Sequence, residues 1–201
     1  MVVSCRNLIC LKNKKGDYMN CLNCKKEIET LKNELAKYKK LAVHDPLTGL
    51  YNRRQLELDL HRYLHLEDRY KINFLVVMID VDGLKKVNKE QGHLGGDIML
   101  KRVANTLKNK IRVFDKCYRL SGDEFILILR HSKTEDKHII KRIRKELDKY
   151  SIKISVGGSK LCESALEISD KNMYKEKHRK KTNKEMRKMY EEKRKELRCK
   201  K

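Results

Sequence analysis

A predicted hairpin in the middle of the chain constrains the fold more than any other feature. Two runs rich in strand-forming residues, 117–120 and 125–129, flank the turn Ser121-Gly122-Asp123-Glu124. A short Gly-containing turn between such runs is typical of two antiparallel strands. Its two adjacent carboxylates repel each other, so a bound cation or a proton-transfer role would explain why they are paired. The alternative is a solvated turn, in which Asp is common.

A second acidic pair follows a strongly apolar segment. Residues 72–79 form a nearly continuous apolar run, and Asp80-Val81-Asp82 comes directly after it. Such a run predicts a central strand that is covered on both sides. Alternation along a strand places Asp80 and Asp82 on the same face, with the Val81 carbonyl between them. Oxygen ligands of this kind suit Mg²⁺. A polar strand end or a helix cap is the alternative, and it is more plausible for Asp82 than for Asp80.

The order of the elements predicts the fold class. Periodicity predicts a strand at 72–81, a helix at about 95–111, strands at 116–120 and 125–130, a helix at 135–149 and a strand at 151–157. This βαββαβ order predicts an α+β fold of the ferredoxin-like kind, an antiparallel sheet with helices on one face. We expect the first strand beside the strand that enters the turn, so that Asp80 meets Asp123 and Glu124 at one sheet edge. A two-metal phosphoryl-transfer site would fit there.

Several motifs, in order along the chain, resemble those of the GGDEF domain, the family of diguanylate cyclases. The resemblance covers roughly residues 41 to 181. The matching segments are Asp45-Pro46-Leu47-Thr48-Gly49-Leu50-Tyr51-Asn52-Arg53-Arg54, Asp80-Val81-Asp82-Gly83-Leu84-Lys85-Lys86-Val87-Asn88, Gly92-His93-Leu94-Gly95-Gly96-Asp97, Arg119-Leu120-Ser121-Gly122-Asp123-Glu124-Phe125 and Ser169-Asp170-Lys171-Asn172-Met173-Tyr174-Lys175-Glu176-Lys177. The resemblance implies a palm fold like that of nucleotide cyclases and polymerases. It also implies a dimeric enzyme that condenses two GTP molecules into cyclic di-GMP and two pyrophosphates.

The resemblance also implies the catalytic residues. Asp80, the Val81 carbonyl, Asp123 and Glu124 would hold Mg²⁺ (or Mn²⁺), and Asp123 would also act as the base toward the 3′-hydroxyl. Lys85 matches the position that stabilises the transition state. Positive charge is needed there because negative charge develops on the phosphoryl group that is attacked and on the leaving group.

Three further positions match residues that contact the substrate. Asn88 and Asp97 match the positions that read guanine, where a carboxylate accepts hydrogen bonds from N1 and the exocyclic amine. His93 matches another substrate-contacting position. The alternative for His93 is a helix-start residue that packs locally.

The resemblance further implies a triphosphate grip and a product site. Lys177 and Lys181 would bind the triphosphate, although the family usually has Arg at the position of Lys181. Arg112 and Asp115 match the Arg-x-x-Asp inhibitory site, which would bind the product as an intercalated dimer. As a bare pattern Arg-x-x-Asp is weak, and its offset from the turn is what supports it here.

The departures from the family pattern predict lower activity. Ser121 replaces the first Gly of the family motif, and its Cβ and hydroxyl would crowd GTP if backbone must approach the phosphates there. Lys89 stands where the family often has Asp, and Lys180 where a Gly often precedes the basic residue. The segment between Lys149 and Asp170 is short for the family, which predicts the loss of a peripheral hairpin. The alternative function is a catalytically weak relative that binds GTP or cyclic di-GMP as a receptor or scaffold.

The charge of the chain exceeds what GTP binding requires. The formal net charge is +22 over 201 residues, and residues 175–201 contain 14 Lys or Arg against 5 Glu. This pattern predicts a charged, solvated helix or a frayed tail. The alternatives are contact with nucleic acid, with an anionic membrane or with an acidic partner, and a protein in which the GGDEF-like core is only a scaffold.

Two features indicate the compartment. No run approaches the ~18 to 20 apolar residues that span a bilayer, and the first residues lack the long apolar region of a secretion signal. Seven cysteines, an odd number, argue against a disulfide scaffold. We therefore expect a cytoplasmic protein, with no transmembrane segment.

Four of the cysteines are clustered near the start of the chain. Cys21 and Cys24 have zinc-knuckle spacing, and Cys5 and Cys10 would complete a tetrahedral site, although their spacing is looser. The alternative is four unligated cysteines. The sequence thus allows a small Zn²⁺ module that senses a signal or binds a partner.

A short apolar seam separates these cysteines from the catalytic region. Its members alternate at three and four residues and are Ile28, Leu31, Leu35, Tyr38 and Ala42. Such a seam predicts a short parallel coiled coil, which would raise the effective concentration of two catalytic domains that must face each other. The alternative is an amphipathic helix lying on its own domain. The predicted segments are therefore 1–27 (cysteines), 28–43 (seam helix), 44–181 (GGDEF domain) and 182–201 (basic helical tail).

Overall fold

The computed structural model describes residues 3–5, 8–10, 21–130 and 135–198, and it describes the side chains of residues 25–130, 138–183, 185 and 186. The chain divides into two compact units, Met1–Val43 and His44–Lys201. The elements are β1 (Val3–Cys5), β2 (Leu8–Cys10), α1 (Cys21–Val43), α2 (Arg53–Tyr70), β3 (Phe74–Asp82), α3 (Leu84–Lys110), β4 (Lys116–Ser121), β5 (Glu124–Arg130), α4 (Glu135–Asp148), β6 (Lys153–Lys160) and α5 (Ala165–Arg198).

The first unit contains a small hairpin and one long helix. Strands β1 and β2 pair antiparallel, with Val3 opposite Cys10, a pairing that the sequence did not predict. Helix α1 carries the apolar seam, and Leu31, Leu35 and Tyr38 in it are 58%, 53% and 65% exposed. The side chains of the four clustered cysteines lie outside the described residues, so a zinc site there stays a prediction.

The second unit is built on a four-stranded antiparallel sheet with the strand order β4-β5-β3-β6. The predicted α+β class is confirmed, but the predicted neighbour of the first strand is wrong. Strand β3 pairs with β5, which leaves the turn, and not with β4, which enters it. The composition of the two hairpin strands explains why β5, and not β4, pairs with β3. Five consecutive residues of β5 are buried, which suits a central strand, whereas β4 carries Lys116 and Arg119 and suits an edge.

Helices cover both faces of this sheet, so the expectation of helices on one face is also wrong. Residues 77, 79 and 81 of β3 pack in a core with α3 and α4. Residues 74, 76 and 78 pack in a second core with α2 and α5. Because β3 is apolar at nearly every position, both of its faces must be removed from water.

Helix α3 begins earlier than predicted. It starts at Leu84 and runs to Lys110, with a kink at Gly92, where φ is 71° and ψ is 178°. The prediction included only the part after the kink, because the non-helical residue interrupts the apolar periodicity. The helix begins after Gly83, which has a φ of 88° that favours glycine.

Two helices of this unit differ from the expected arrangement in other ways. Helix α2 is absent from the predicted element order, although its first turn is capped by the Asn52 side chain. Helix α5 continues from Ala165 to Arg198 through the position of Lys180, where a Gly would favour a helix end. Side chains beyond Met186 lie outside the described residues, so the partners of the basic tail stay a prediction. Within the described residues, no helix has the length and apolar character needed to cross a membrane.

Candidate active site

The strand pairing brings the predicted acidic residues together. Asp80 lies directly opposite Glu124 in the register of β3 and β5. The backbone N–H of Val81 donates to the carbonyl of Asp123 at 3.0 Å, which joins the hairpin turn to the end of β3. Asp80 is only 5% exposed, whereas Asp123 and Glu124 are half-buried. The carboxylates therefore meet at one end of the sheet, next to a strand different from the one that was expected.

The turn accommodates a serine at its first position. Gly122 has a positive φ of 31°. Ser121 is not among the non-glycine residues with positive φ, so a side chain there causes no backbone strain. The Ser121 hydroxyl donates to Glu124 Oε2 at 2.6 Å. The residue that departs from the family motif thus contacts one of the acidic residues.

Arg119 ties the hairpin to the segment before α2. Its guanidinium donates to both oxygens of Asp45, at 3.1 and 3.3 Å, and to the Gly122 carbonyl at 2.8 Å. Asp45 also accepts from the backbone N–H and the hydroxyl of Thr48. Burial raises the pKa of Asp45, but the hydrogen bonds from Thr48 and Arg119 outweigh it and leave that pKa lowered. Sequence analysis predicted no role for these residues beyond their place in motifs.

Lys177 of α5 pairs with the most buried acid of the site. Its ammonium nitrogen lies 2.7 and 2.8 Å from the two oxygens of Asp80. Burial raises the pKa of Asp80, the hydrogen bond from Lys177 opposes this, and the nearby charges of Asp123 and Asp82 raise it further. For Lys177, burial lowers the pKa, but the bond to Asp80 outweighs it and leaves the pKa raised. The Lys177 ammonium and the Asp80 carboxyl group therefore face each other in direct contact at this point.

A cleft of about 840 Å³ opens beside this pair. Its lining includes Asp80 and Glu124 together with Lys177, Lys180 and Lys181. A polyphosphate with a divalent cation carries both signs of charge that such walls complement. Lys181, predicted to grip a triphosphate, is therefore placed in the same cleft as the acidic residues.

The oxygen atoms available at the site are of the chemical kind that binds a hard divalent cation. Carboxylates and a backbone carbonyl are the ligands that Mg²⁺ and Mn²⁺ prefer. Asp80 and Glu124 supply such oxygens from adjacent strands. Within the part of the chain that the structure describes, no group of three or more His, Cys, Asp or Glu side chains is arranged to hold a metal ion. Suitable ligand atoms are thus present, but within the described residues the acidic side chains are not already arranged around a metal position.

The predicted guanine-reading residues lie on α3, on either side of its kink. Asn88 and Asp97 are half-buried, while Lys85 and His93 are exposed, and none of the four lines the cleft. A Cβ at Gly96 would come within 1.9 Å of Asn88 Oδ1. Glycine at this position therefore lets the Asn88 amide pack against the second half of the helix, beside Asp97.

The predicted inhibitory pair lies in the loop before β4. Asp115 is 5% exposed, and its two oxygens accept from the backbone N–H groups of Arg112 and Arg130, each at 3.0 Å. The Arg112 guanidinium lies 3.4 Å from the Arg130 carbonyl. The structure thus brings Arg112 and Asp115 together. The Asp115 carboxylate also connects the loop to β5 through its hydrogen bond from Arg130.

One buried polar cluster was missed by the sequence reasoning. Asp59 of α2 is 1% exposed and accepts from Lys116 and Tyr118 of β4, each at 2.9 Å. Lys116 also lies over the Tyr51 ring, 5.1 Å from its centroid. Burial and the Asp59 charge raise the pKa of Tyr118, which keeps its hydroxyl a donor. A lysine beside a buried strand segment was the available signal, but its partner comes from a helix that was not predicted.

The fold and the site together define a palm-type α+β domain with acidic residues at the end of two central strands of its antiparallel sheet. The family model described as "Diguanylate cyclase, GGDEF domain" matches residues 42–184. The chain belongs to the GGDEF family, which confirms the resemblance seen in the sequence.

Named relatives and solved structures agree with this membership. The chain is 34% identical over 128 residues to the diguanylate cyclase VdcA of Vibrio cholerae, covering 63% of this chain and 37% of VdcA. It is 34% identical over 140 residues to the diguanylate cyclase DosC of Escherichia coli, covering 67% of this chain and 30% of DosC. The chain thus spans well under half the length of these curated relatives.

The crystal structure of the diguanylate cyclase SiaD of Pseudomonas aeruginosa, in complex with its activator SiaC, matches with a TM-score of 0.65 and 26% identity, over 77% of this chain and 65% of SiaD. The coiled coil and GGDEF domain of DgcB from Caulobacter crescentus, in complex with c-di-GMP, match with a TM-score of 0.71 over 78% of this chain and 92% of that one. At 23% identity, the DgcB match shows the fold alone.

Proposed function

We propose that the protein is a diguanylate cyclase that condenses two GTP molecules into cyclic di-GMP and two pyrophosphates. The observation that carries the proposal is the meeting of Asp80, Asp123 and Glu124 at the end of two central strands, opposite Lys177, in a GGDEF domain. In each half-reaction a 3′-oxygen forms a bond to the α-phosphorus of the other GTP. The bond from that phosphorus to the β-phosphate oxygen breaks, and pyrophosphate leaves.

The acidic residues have two tasks in this proposal. Asp80, the Val81 carbonyl, Asp123 and Glu124 hold Mg²⁺ or Mn²⁺, which neutralises charge on the phosphates when bound. Asp123 accepts the proton of the attacking 3′-hydroxyl. Lys85 adds positive charge where negative charge develops in the transition state. The exposure of Lys85 leaves its ammonium accessible to a bound nucleotide.

The remaining residues orient the substrate. Lys177 and Lys181 bind the triphosphate, which the opposite charges of the cleft walls favour. Asn88 and Asp97 pair with the edge of guanine. The packing of Asn88 against Gly96, next to Asp97, supports this pairing because it brings an amide and a carboxylate to one part of α3. His93 supplies a further contact with the substrate.

Two regions outside the catalytic residues complete the proposal. The enzyme acts as a dimer because each domain binds one GTP, and the exposed seam of α1 supports a parallel coiled coil that pairs two domains. Residues 28–43 then form the dimer helix and residues 44–181 the catalytic domain, with a cysteine-containing segment before them and a basic tail after them. Arg112 and Asp115 form a product site that inhibits the enzyme.

The first experiment is to incubate the purified, product-free protein with GTP and Mg²⁺ and to look for cyclic di-GMP by mass spectrometry. We expect product from the unchanged protein and none from Asp123→Ala. A matched control is Asp68→Ala, which removes an exposed carboxylate of α2 that does not line the cleft and is expected to leave product formation within about threefold. A folded dimer that binds GTP but makes no product would contradict the enzymatic function and favour a receptor or scaffold.

A further inference from the structure

Lys180 of α5 joins three elements at the wall of the cleft. Its ammonium nitrogen lies 3.0 Å from Asp82 Oδ2 and 3.2 Å from Ser155 Oγ, and it donates to the carbonyl of Ile154. A fourth oxygen, Glu176 Oε1, lies 3.1 Å away. Asp82 ends β3, Ile154 and Ser155 belong to β6, and Glu176 is one turn earlier on α5. One side chain therefore connects two strands to the helix.

The contacts of Lys180 are partly buried, and two of its partners, Asp82 and Glu176, make further hydrogen bonds. Asp82 is 25% exposed at its side chain and Glu176 is 16% exposed. The fully buried Ser155 hydroxyl donates to the other oxygen of Asp82 at 2.8 Å. Glu176 also accepts from Arg144 of α4, at 2.7 and 2.9 Å. Charge-assisted hydrogen bonds that share partners and are shielded from water hold geometry better than isolated surface pairs.

The contact with Ile154 also supplies a hydrogen-bond donor to a backbone carbonyl of an edge strand. Strand β6 is the last strand in the sheet order of the described residues, so its outer backbone groups need partners other than a strand. Lys180 supplies a donor for the Ile154 carbonyl, and Asn172 of α5 supplies one for the Gly158 carbonyl at 3.0 Å. Two side chains of α5 therefore donate hydrogen bonds to backbone carbonyls of β6 at this edge of the sheet.

The position of Lys180 on α5 links these contacts to substrate binding. Residues three apart on a helix lie on the same face, and Lys177 precedes Lys180 by three. Lys177 contacts Asp80 and Lys180 contacts Asp82, so successive turns of the helix contact alternate residues of β3. Lys181 follows immediately and lines the same cleft. A shift or rotation of α5 at Lys180 would move both lysines that are proposed to bind the triphosphate.

We propose that Lys180 is a positioning residue that fixes Lys177 and Lys181 in place for the triphosphate. The proposal rests on the function proposed above. Lys180 acts through the protein because its ammonium already contacts oxygens of Asp82, Ile154, Ser155 and Glu176. The lysine that departs from the family pattern thus stabilises a helix that continues where a glycine would favour its end.

The test compares Lys180→Met, which keeps the length and removes the charge, with Lys180→Arg and Asp82→Asn. The control is Lys175→Met, an exposed residue of the same helix outside the cleft lining.

We measure the Kd of a non-hydrolysable GTP analogue with Mg²⁺, kcat and KM for GTP, and amide hydrogen exchange over residues 176–183. We expect Lys180→Met to raise Kd and KM about tenfold, with kcat within about threefold, and to speed exchange. Lys180→Arg should recover most of the affinity, and Lys175→Met should change none of these values by more than about twofold.

A double variant separates positioning from direct phosphate binding. If Lys180 acts through Asp82, then adding Asp82→Asn to Lys180→Met should change Kd by less than about twofold. Additive losses with unchanged exchange would overturn the proposal and make Lys180 a phosphate ligand. Unchanged affinity and unchanged exchange in Lys180→Met would overturn it as well. If the unchanged protein binds no GTP analogue, the proposed function fails, and the exchange comparison still tests whether Lys180 holds α5.

Discussion

The two faces of the sheet differ in what they bury. The face under α3 and α4 is lined by apolar side chains from both helices and from β3, β5 and β6. The face under α2 and α5 has an apolar core too, but it also buries polar groups. These are Asp59, Asp80, Ser155 and Ser169. One face therefore contributes mainly hydrophobic stabilisation, whereas the other combines packing with acidic residues of the proposed active site.

Strand β3 serves both faces because its side chains alternate. Ile79 and Val81 point into the apolar core, while Asp80 and Asp82 point toward α5. This difference predicts that stability and activity can be separated in this domain by the face on which a substituted residue lies. Substitutions on the two faces should therefore give different combinations of lost activity and lost stability.

The largest expected effect is on activity, from Asp80→Asn on the polar face. We expect cyclic di-GMP formation to fall at least about 1,000-fold, because an uncharged amide binds a divalent cation far more weakly than a carboxylate does and so leaves the negative charge of the phosphates uncompensated. The melting temperature should change by only a few degrees, since burial already disfavours the charged form of Asp80. Product formation by mass spectrometry and thermal unfolding measure the two effects. Residual activity above about a tenth would contradict the proposed site.

Leu129→Ala tests the apolar face. Leu129 is fully buried in the core under α3 and α4 and lies at the end of β5 far from Glu124. We expect the free energy of unfolding to fall by about 2–5 kcal/mol, from lost transfer energy and the cavity left behind. Urea unfolding measures the loss. Activity per folded molecule should stay within about twofold, and a large loss of activity in fully folded protein would show that the two faces are not separable.

Asp59→Asn tests a buried charge on the polar face. We expect a loss of about 1–3 kcal/mol at pH 7, because Lys116 and Tyr118 lose a charged acceptor. Burial raises the pKa of Asp59, but hydrogen bonds from Lys116, Gln55 and Tyr118 outweigh it and lower that pKa below its usual 3.8.

The sign of the pH dependence follows from this lowered pKa. The folded protein holds the Asp59 proton less tightly than the unfolded chain, so the stabilisation is present above pH 3.8 and is lost as the pH falls through the folded pKa. The difference between the unchanged protein and Asp59→Asn, measured by urea unfolding, should therefore be largest near pH 7 and shrink as the pH falls below 3.8. A difference that grows in acid would contradict the assignment.

The smallest expected effect comes from Ser169→Ala, also on the polar face. The buried Ser169 hydroxyl donates to the Val76 carbonyl at 3.1 Å and lies 2.9 Å from the Ser159 hydroxyl. Its removal should cost about 1 kcal/mol in the free energy of unfolding, the usual net value of a buried hydrogen bond. Urea unfolding again provides the measurement, with exposed Ser164→Ala as the control. A loss as large as that of Leu129→Ala would show that polar contacts dominate this face.

The sequence predicted the α+β class, the strands of the sheet and the meeting of Asp80 with Asp123 and Glu124. It also placed the seam of α1 and the motif residues of the family. The strands, the seam and the motifs are local in the chain, because periodicity, turn composition and motif spacing depend on residues that are near each other in sequence. The meeting of Asp80 with Asp123 and Glu124 is not local: it followed from the expected sheet topology, although the expected neighbour of β3 was wrong.

The tertiary structure alone decided the partner of β3, the covering of both sheet faces, and the roles of Lys180 and Asp59. The sequence marked Lys180 only as a departure from a pattern, and it gave no role to Asp59. Asp59 contacts Lys116, 57 positions away in the chain, and Lys180 contacts Asp82, 98 positions away. Such contacts depend on which strand occupies the centre of the sheet and on which helices cover its faces. That choice minimises the exposed apolar surface of the whole domain, and no short stretch of sequence determines it.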